Sequence, residues 1–223
     1  MLGNISCIWK SPGHSGFFFD YNATMIRNNK NTIKSQQSDG NRKIQAGNLI
    51  LVGMMGSGKT TMGRTLSKHL GKVFVDSDEE VQKRTGVTIP HIFDIEGEKG
   101  FRLRESAVLA DMLKRDNIVL ATGGGAVLAE QNRALLRQGG IVVYLSASIH
   151  DLWLRTRNDR NRPLLLKGDP YKKLKELHQQ RDPIYRQVAD VIVQSSRQSA
   201  HNLMLRLVDE IETYRKTAKH GNH

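Results

Sequence analysis

From residue 48 onward, short apolar runs alternate with longer stretches whose apolar positions recur every three or four residues. The runs at 49–52, 73–76, 118–121, 141–145 and 191–194 are rich in Leu, Ile and Val. Their length and near-continuous apolarity predict strands buried on both faces. Between them, 59–70 sets Met62, Leu66 and Leu70 on one helical face, and 102–114 repeats Leu103, Ala107, Ala110 and Leu113. A last helix over about 200–216 repeats Leu203, Leu207 and Ile211. Ser148, with Asp151 three residues on, has the form of a capping box that opens a helix over 149–157. Strands alternating with helices predict an α/β domain of three layers, α/β/α, around a five-stranded parallel sheet.

Residues 1–47 break this pattern. They are rich in Asn, Ser, Gly and Lys, keep no steady period, and carry six basic residues against Asp20 and Asp39. The stretch reads as a disordered extension preceding a domain over 48–216, with 217–223 a frayed tail. An organelle transit peptide and a start at Met25 are open alternatives. The net charge is +12, of which the leader holds +4, leaving +8 for the domain. Such a balance suits anionic partners: nucleic acid, a membrane surface, or small phosphorylated and carboxylated ligands. One cysteine, Cys7, rules out an intrachain disulfide and any Cys-based zinc site. No apolar run approaches the roughly 18 residues of a membrane span, and a cytoplasmic address is expected.

Three segments at strand ends carry candidate chemistry. Gly53-Met54-Met55-Gly56-Ser57-Gly58-Lys59-Thr60 has the Gly-x4-Gly-Lys-Thr spacing of a P-loop, set between a predicted strand and a predicted helix. Backbone amides there would wrap phosphate oxygens, Lys59 would bridge the β- and γ-phosphates, and the Thr60 hydroxyl would ligate magnesium. Asp76-Ser77-Asp78 follows the second strand. Strand alternation would set its two carboxylates on one side, one for a metal's water shell and one for an attacking hydroxyl. The plainer alternative is a solvated turn with Asp78 as a helix cap. Thr122-Gly123-Gly124-Gly125 follows the third strand, and glycines there admit a ligand close to the backbone, or simply make a turn. Parallel strands would bring all three turns to one edge of the sheet.

Arginines complete the set. Phe101-Arg102 is expected to open a helix, Arg162-Pro163-Leu164 to lie in an irregular stretch, and Arg181-Asp182-Pro183-Ile184-Tyr185 to end a helical run. Taken with the P-loop, Asp-Ser-Asp, Gly-Glu-x-Gly-Phe-Arg-x-x-Glu, Ala-Thr-Gly-Gly-Gly, Arg-Pro-Leu-Leu and Arg-x-Pro-x-Tyr, the chain resembles the shikimate kinase family over about 48–200. The resemblance implies a P-loop fold of the nucleoside monophosphate kinase kind with a lid, ATP and shikimate as substrates, Mg²⁺ as cofactor, and a monomer. Gly56, Ser57, Gly58, Lys59, Thr60 and Thr61 would hold the ATP phosphates, with Thr60 on the metal and Asp76 supporting it through water. Asp78 would engage the acceptor hydroxyl, Arg102 and Arg181 would clamp the substrate carboxylate, and Gly124 would meet the ring through its backbone. Arg162 would descend from a lid over roughly 157–171 onto the transferring group. Arg155 and Gln198 would lie near the adenine. The lid is about one residue shorter than the family pattern.

The chemistry of the residues agrees with that reading, because carboxylates accept from hydroxyls and an arginine fork pairs a carboxylate in bidentate fashion. Another P-loop kinase, for gluconate or a nucleoside monophosphate, would share the phosphate loop but not the remaining motifs. A nucleic-acid binder with a vestigial P-loop would draw on the positive charge, but no nucleic-acid module is recognisable and no such partner is expected. His69, His91, His150 and His178 lack metal-ligand spacing, and Trp153 reads as packing.

Overall fold

The structure is a computed structural model that describes residues 47–159, 163–165, 169–195 and 199–220. Residues 1–46 of the leader, Arg162 and Gln198 lie outside the described residues. Five strands form one sheet: β1 (Leu49–Val52), β2 (Val73–Asp76), β3 (Ile118–Ala121), β4 (Ile141–Ser146) and β5 (Val191–Gln194). Every pairing is parallel, in the order β2-β3-β1-β4-β5. Seven helices connect and flank it among the described residues: α1 (Lys59–Leu70), α2 (Ser77–Thr85), α3 (Ile89–Met112), α4 (Glu130–Gly139), α5 (Ile149–Thr156), α6 (Pro170–Val188) and α7 (Ala200–His220).

Strand alternation sorts the core into two layers. Ile50 and Val52 of β1 pack with Val108, Leu109, Met112, Leu136 and Tyr185 from α3, α4 and α6. Leu49 and Leu51 point the other way, against Met62 and Leu66 of α1 and Leu203, Leu207 and Ile211 of α7. The central strands β1 and β3 are buried throughout, as is β4 up to Leu145. At the two sheet edges burial on both faces fails: Val73 of β2 is 61% exposed and Ile192 of β5 is 42% exposed. No helix among the described residues is long and apolar enough to cross a membrane.

Helix boundaries depart from the periodic reading in three places. Phe101 and Arg102 do not open a helix; they lie inside α3, which starts at Ile89 behind the cap Thr88 and breaks at Gly97. Its buried face is Phe101, Glu105, Val108, Leu109 and Met112, while Leu103 is 65% exposed. The predicted face was rotated because the inward side holds a charged residue, Glu105, that an apolar count skips. Arg181 does not close a helix either, since α6 runs through Pro183 to Val188. The last helix extends to His220. Ser148 does cap α5, accepting from the Asp151 amide at 3.1 Å.

Candidate active site

The turns after β1, β2 and β3 meet at the carboxyl edge of three neighbouring strands, as parallel pairing demands. Gly56 and Gly58 take positive φ, 77° and 94°, which lets the first of these turns curl before α1. No side chain caps α1, so the amides of its first turn face the cleft with the positive end of the helix dipole. Lys59 folds back across the loop, donating from Nζ to the carbonyls of Gly53 (2.9 Å) and Met54 (3.0 Å). Ser57 is buried beneath the loop, where its amide donates to Met54, and it does not line the cleft.

The Asp-Ser-Asp turn differs from the extended pair expected. Asp76 ends β2, and Ser77 already begins α2, so the two carboxylates are not related by strand alternation. The cap is Asp76, not Asp78: its Oδ1 accepts from the amides of Asp78 (3.0 Å) and Glu79 (3.4 Å). Its other oxygen accepts from Thr60 Oγ1 at 2.9 Å. That hydroxyl–carboxylate pair beside the phosphate loop offers hard oxygen donors of the kind a divalent cation and its waters need. Among the described residues no group of three or more His, Cys, Asp or Glu is placed to hold a metal ion by itself, so phosphate oxygens and water would supply the remaining ligands.

Two cavities open here. A broad cleft is lined by Gly56, Gly58, Lys59, Thr60, Thr61 and Asp76, with Arg155 at one side. Arg155 ties the phosphate loop to the strand-end turn after β5, donating to Gly56 O (3.1 Å) and Ser195 O (3.0 Å). A smaller cavity is lined by Phe93, Phe101, Arg102, Glu105, Gly123 and Arg181, among others. Asp78 and Gly124 line both, at the junction.

In the smaller cavity charge is concentrated and little hydrated. Arg181 is 2% exposed and Glu105 fully buried. Arg102 donates to Glu105 Oε2 at 2.7 Å and to Glu98 Oε1 at 2.9 Å. Glu105 Oε1 and Arg181 Nε are buried without a hydrogen-bond partner among the described residues, which is costly unless something polar binds there. Burial raises the Glu105 carboxyl to about 7, opposed by Arg102 and assisted by Asp78. For Arg102, burial pulls the pKa down, but Glu105 and Glu98 outweigh it and the net shift is upward. Burial lowers Arg181. The glycine loop makes room for these groups: a Cβ on Gly123 would collide with the Glu105 carboxylate, and one on Gly125 with the Arg102 guanidinium.

Glu105, Ser77 and Tyr185 received no role from the sequence. Ser77 Oγ accepts from the Gly123 amide at 2.8 Å, and the Tyr185 hydroxyl donates to the Gly124 carbonyl, so both hold the glycine loop. Their signals were present in the motifs, Glu105 three residues after Arg102 and Tyr185 four after Arg181 on helices, but only packing shows what they touch.

Glu105 makes a pH test. Its folded pKa of about 7 exceeds the ordinary 4.5, so the folded state holds this proton more tightly. The associated stabilisation is complete below the unfolded pKa and is lost as pH climbs through about 7. Glu105→Gln removes the titration. Between about pH 5 and pH 8, its Tm should gain on that of the unaltered chain; a constant difference in Tm would contradict a buried, proton-holding Glu105.

A family model described as shikimate kinase matches residues 55–212. Shikimate kinase of Nitrosospira multiformis is 53% identical over 185 residues, covering 83% of this chain and 93% of that protein. That of Thiobacillus denitrificans is 62% identical over 152 residues, covering 68% and 83% respectively. Among solved structures, shikimate kinase from Acinetobacter baumannii in complex with shikimate superposes with a TM-score of 0.74 at 45% identity, covering 78% of this chain and 97% of that one. Fold and site therefore define an ATP-dependent P-loop phosphotransferase with an alcohol acceptor. The chain belongs to the shikimate kinase family.

Proposed function

We propose that the chain transfers the γ-phosphoryl group of ATP to the 3-hydroxyl of shikimate, giving 3-phosphoshikimate and ADP. The observation that carries this reading is the junction of the two cavities at Asp78 and Gly124. A nucleotide in the larger cleft and a hydroxylated acid in the smaller one would meet there. Lys59 neutralises the β- and γ-phosphates from above the loop, and the α1 amides cradle them. Arg102 and Arg181 grip the carboxylate of shikimate, and the glycine loop lets the ring approach the backbone. Asp78 orients the 3-hydroxyl and takes its proton as the oxygen attacks phosphorus and the bond to the β,γ-bridging oxygen breaks. Thr60 and Asp76 would hold Mg²⁺, which when bound screens phosphate charge and draws the γ-phosphoryl group into line.

Arg162 and Gln198, outside the described residues, keep the roles the family resemblance implies, on the transferring group and near the adenine. The Leu164 side chain, two residues past Arg162, lines the acceptor cavity, which supports a lid segment that meets the substrate. A monomer in the cytoplasm completes the reading, and light scattering after gel filtration tests the first part.

The decisive assay is ADP release by the full chain with ATP, Mg²⁺ and shikimate, beside gluconate and nucleoside monophosphates. Release dependent on shikimate alone is expected, and release with another acceptor instead would overturn the assignment. Arg102→Ala should raise KM for shikimate about 10-fold or more while KM for ATP changes about two-fold or less, because a charge-assisted pair is lost from one substrate only. Equal changes in both would remove Arg102 from the clamp.

A further inference from the structure

The acceptor cavity has a wall made from both halves of a broken helix. The first half of α3 contributes Ile89 and Phe93; the second contributes Phe101, Arg102 and Glu105. They are joined at Gly97, whose φ of 69° and ψ of −178° lie in a region that only glycine occupies without strain. The angle between the halves thus sets the width of the cavity, and one residue is a poor guarantor of an angle.

Two contacts span the break. Phe93 and Phe101 pack with ring centroids 5.0 Å apart. On the outside, Arg104 grips the Glu96 carboxylate with both Nε (2.8 Å) and Nη2 (2.5 Å). Eight residues and the break separate these partners, so the grip ties one half of the helix to the other. Gly100 is the enabling residue: a Cβ there would strike the Glu96 side chain, including Oε2 at 2.8 Å, so glycine lets Glu96 lie along the next turn toward Arg104. Neither Glu96 nor Arg104 lines either cavity.

We infer that Glu96 and Arg104 form an external strap across Gly97 that holds the acceptor-cavity wall in its capture geometry, making both positioning residues for the acceptor. The inference rests on the proposed function for the identity of that acceptor. An exposed ion pair contributes little on its own, but a bidentate fork that fixes a hinge spares the acceptor the cost of ordering its wall. The nucleotide cleft takes only Ile89 and Pro90 from α3 and is otherwise built on the strand-end turns and α1, so ATP binding feels the strap less.

A double-mutant cycle tests this on the full chain. Glu96→Ala and Arg104→Ala should each raise KM for shikimate about three- to five-fold, with kcat and KM for ATP within about two-fold. The double variant should be no worse than either single, since one interaction is lost only once. Multiplying effects, or equal rises for both substrates, would overturn the strap. Hydrogen exchange over residues 89–101 gives a readout independent of turnover. Exchange should quicken there in Arg104→Ala relative to the segment 59–70, and unchanged exchange would refute the strap. If the unaltered chain fails to phosphorylate shikimate, the functional reading falls, while exchange still decides the strap.

Discussion

Lys59→Ala is expected to lower kcat with ATP and shikimate by about 10³-fold, the scale for removing one preorganised charge from a developing anion. The structure explains why so much rests on one side chain. Lys59 is tethered over the loop by the carbonyls of Gly53 and Met54, so its ammonium is set in place before phosphate arrives. Those carbonyls belong to a loop open to the cleft, and α1 keeps its packing through Met62 and Leu66. The fold should therefore survive, with Tm moving by a few degrees at most. Steady-state kinetics beside a thermal melt checks both. Turnover above about a tenth of the unaltered chain's would remove Lys59 from the phosphate site.

Asp78→Asn should cost about 10²- to 10⁴-fold in phosphoryl transfer, the range for losing a positioned general base. ATP affinity, measured by calorimetric titration, should stay within about two-fold, because the carboxylate serves the acceptor at the junction rather than the phosphates. The size of the side chain is kept, so packing against the glycine loop is little disturbed. A second effect follows from the neighbourhood. Asp78 is one of the charges that raises Glu105, so removing it should bring the Glu105 pKa down from about 7. A loss of nucleotide affinity matching the loss of rate would move Asp78 from the acceptor to the metal.

How much of this was legible depended on how local each feature is. Four of the five strands match their apolar runs to the residue, because each is a short, mostly apolar run bounded by polar, glycine or helix-starting positions, at the edges β2 and β5 as well as in the centre. Strand β4 exceeds its apolar run by the single polar Ser146. The phosphate loop is contiguous, so its spacing alone carried it. The acidic turn was misread in geometry, since nothing in three letters says whether the strand persists past Asp76 or a helix begins at Ser77. The first half of α3 went unseen because Gly97 and Gly100 interrupt the apolar period, and the same glycines turn out to make the hinge and its strap.

By itself, the order of residues determined the layers of this protein, the strand-ends that bear phosphate chemistry, and the motifs that tie it to its family, since each is written in neighbouring positions. Only the tertiary structure decided which groups share a cavity. Glu105 acquires its proton affinity from burial and the nearby Asp78 charge, against the pull of Arg102, and the glycine loop is glycine because side chains from α2 and α3 press on it. Such properties arise from desolvation and from contact between segments distant in the chain, which no local pattern encodes.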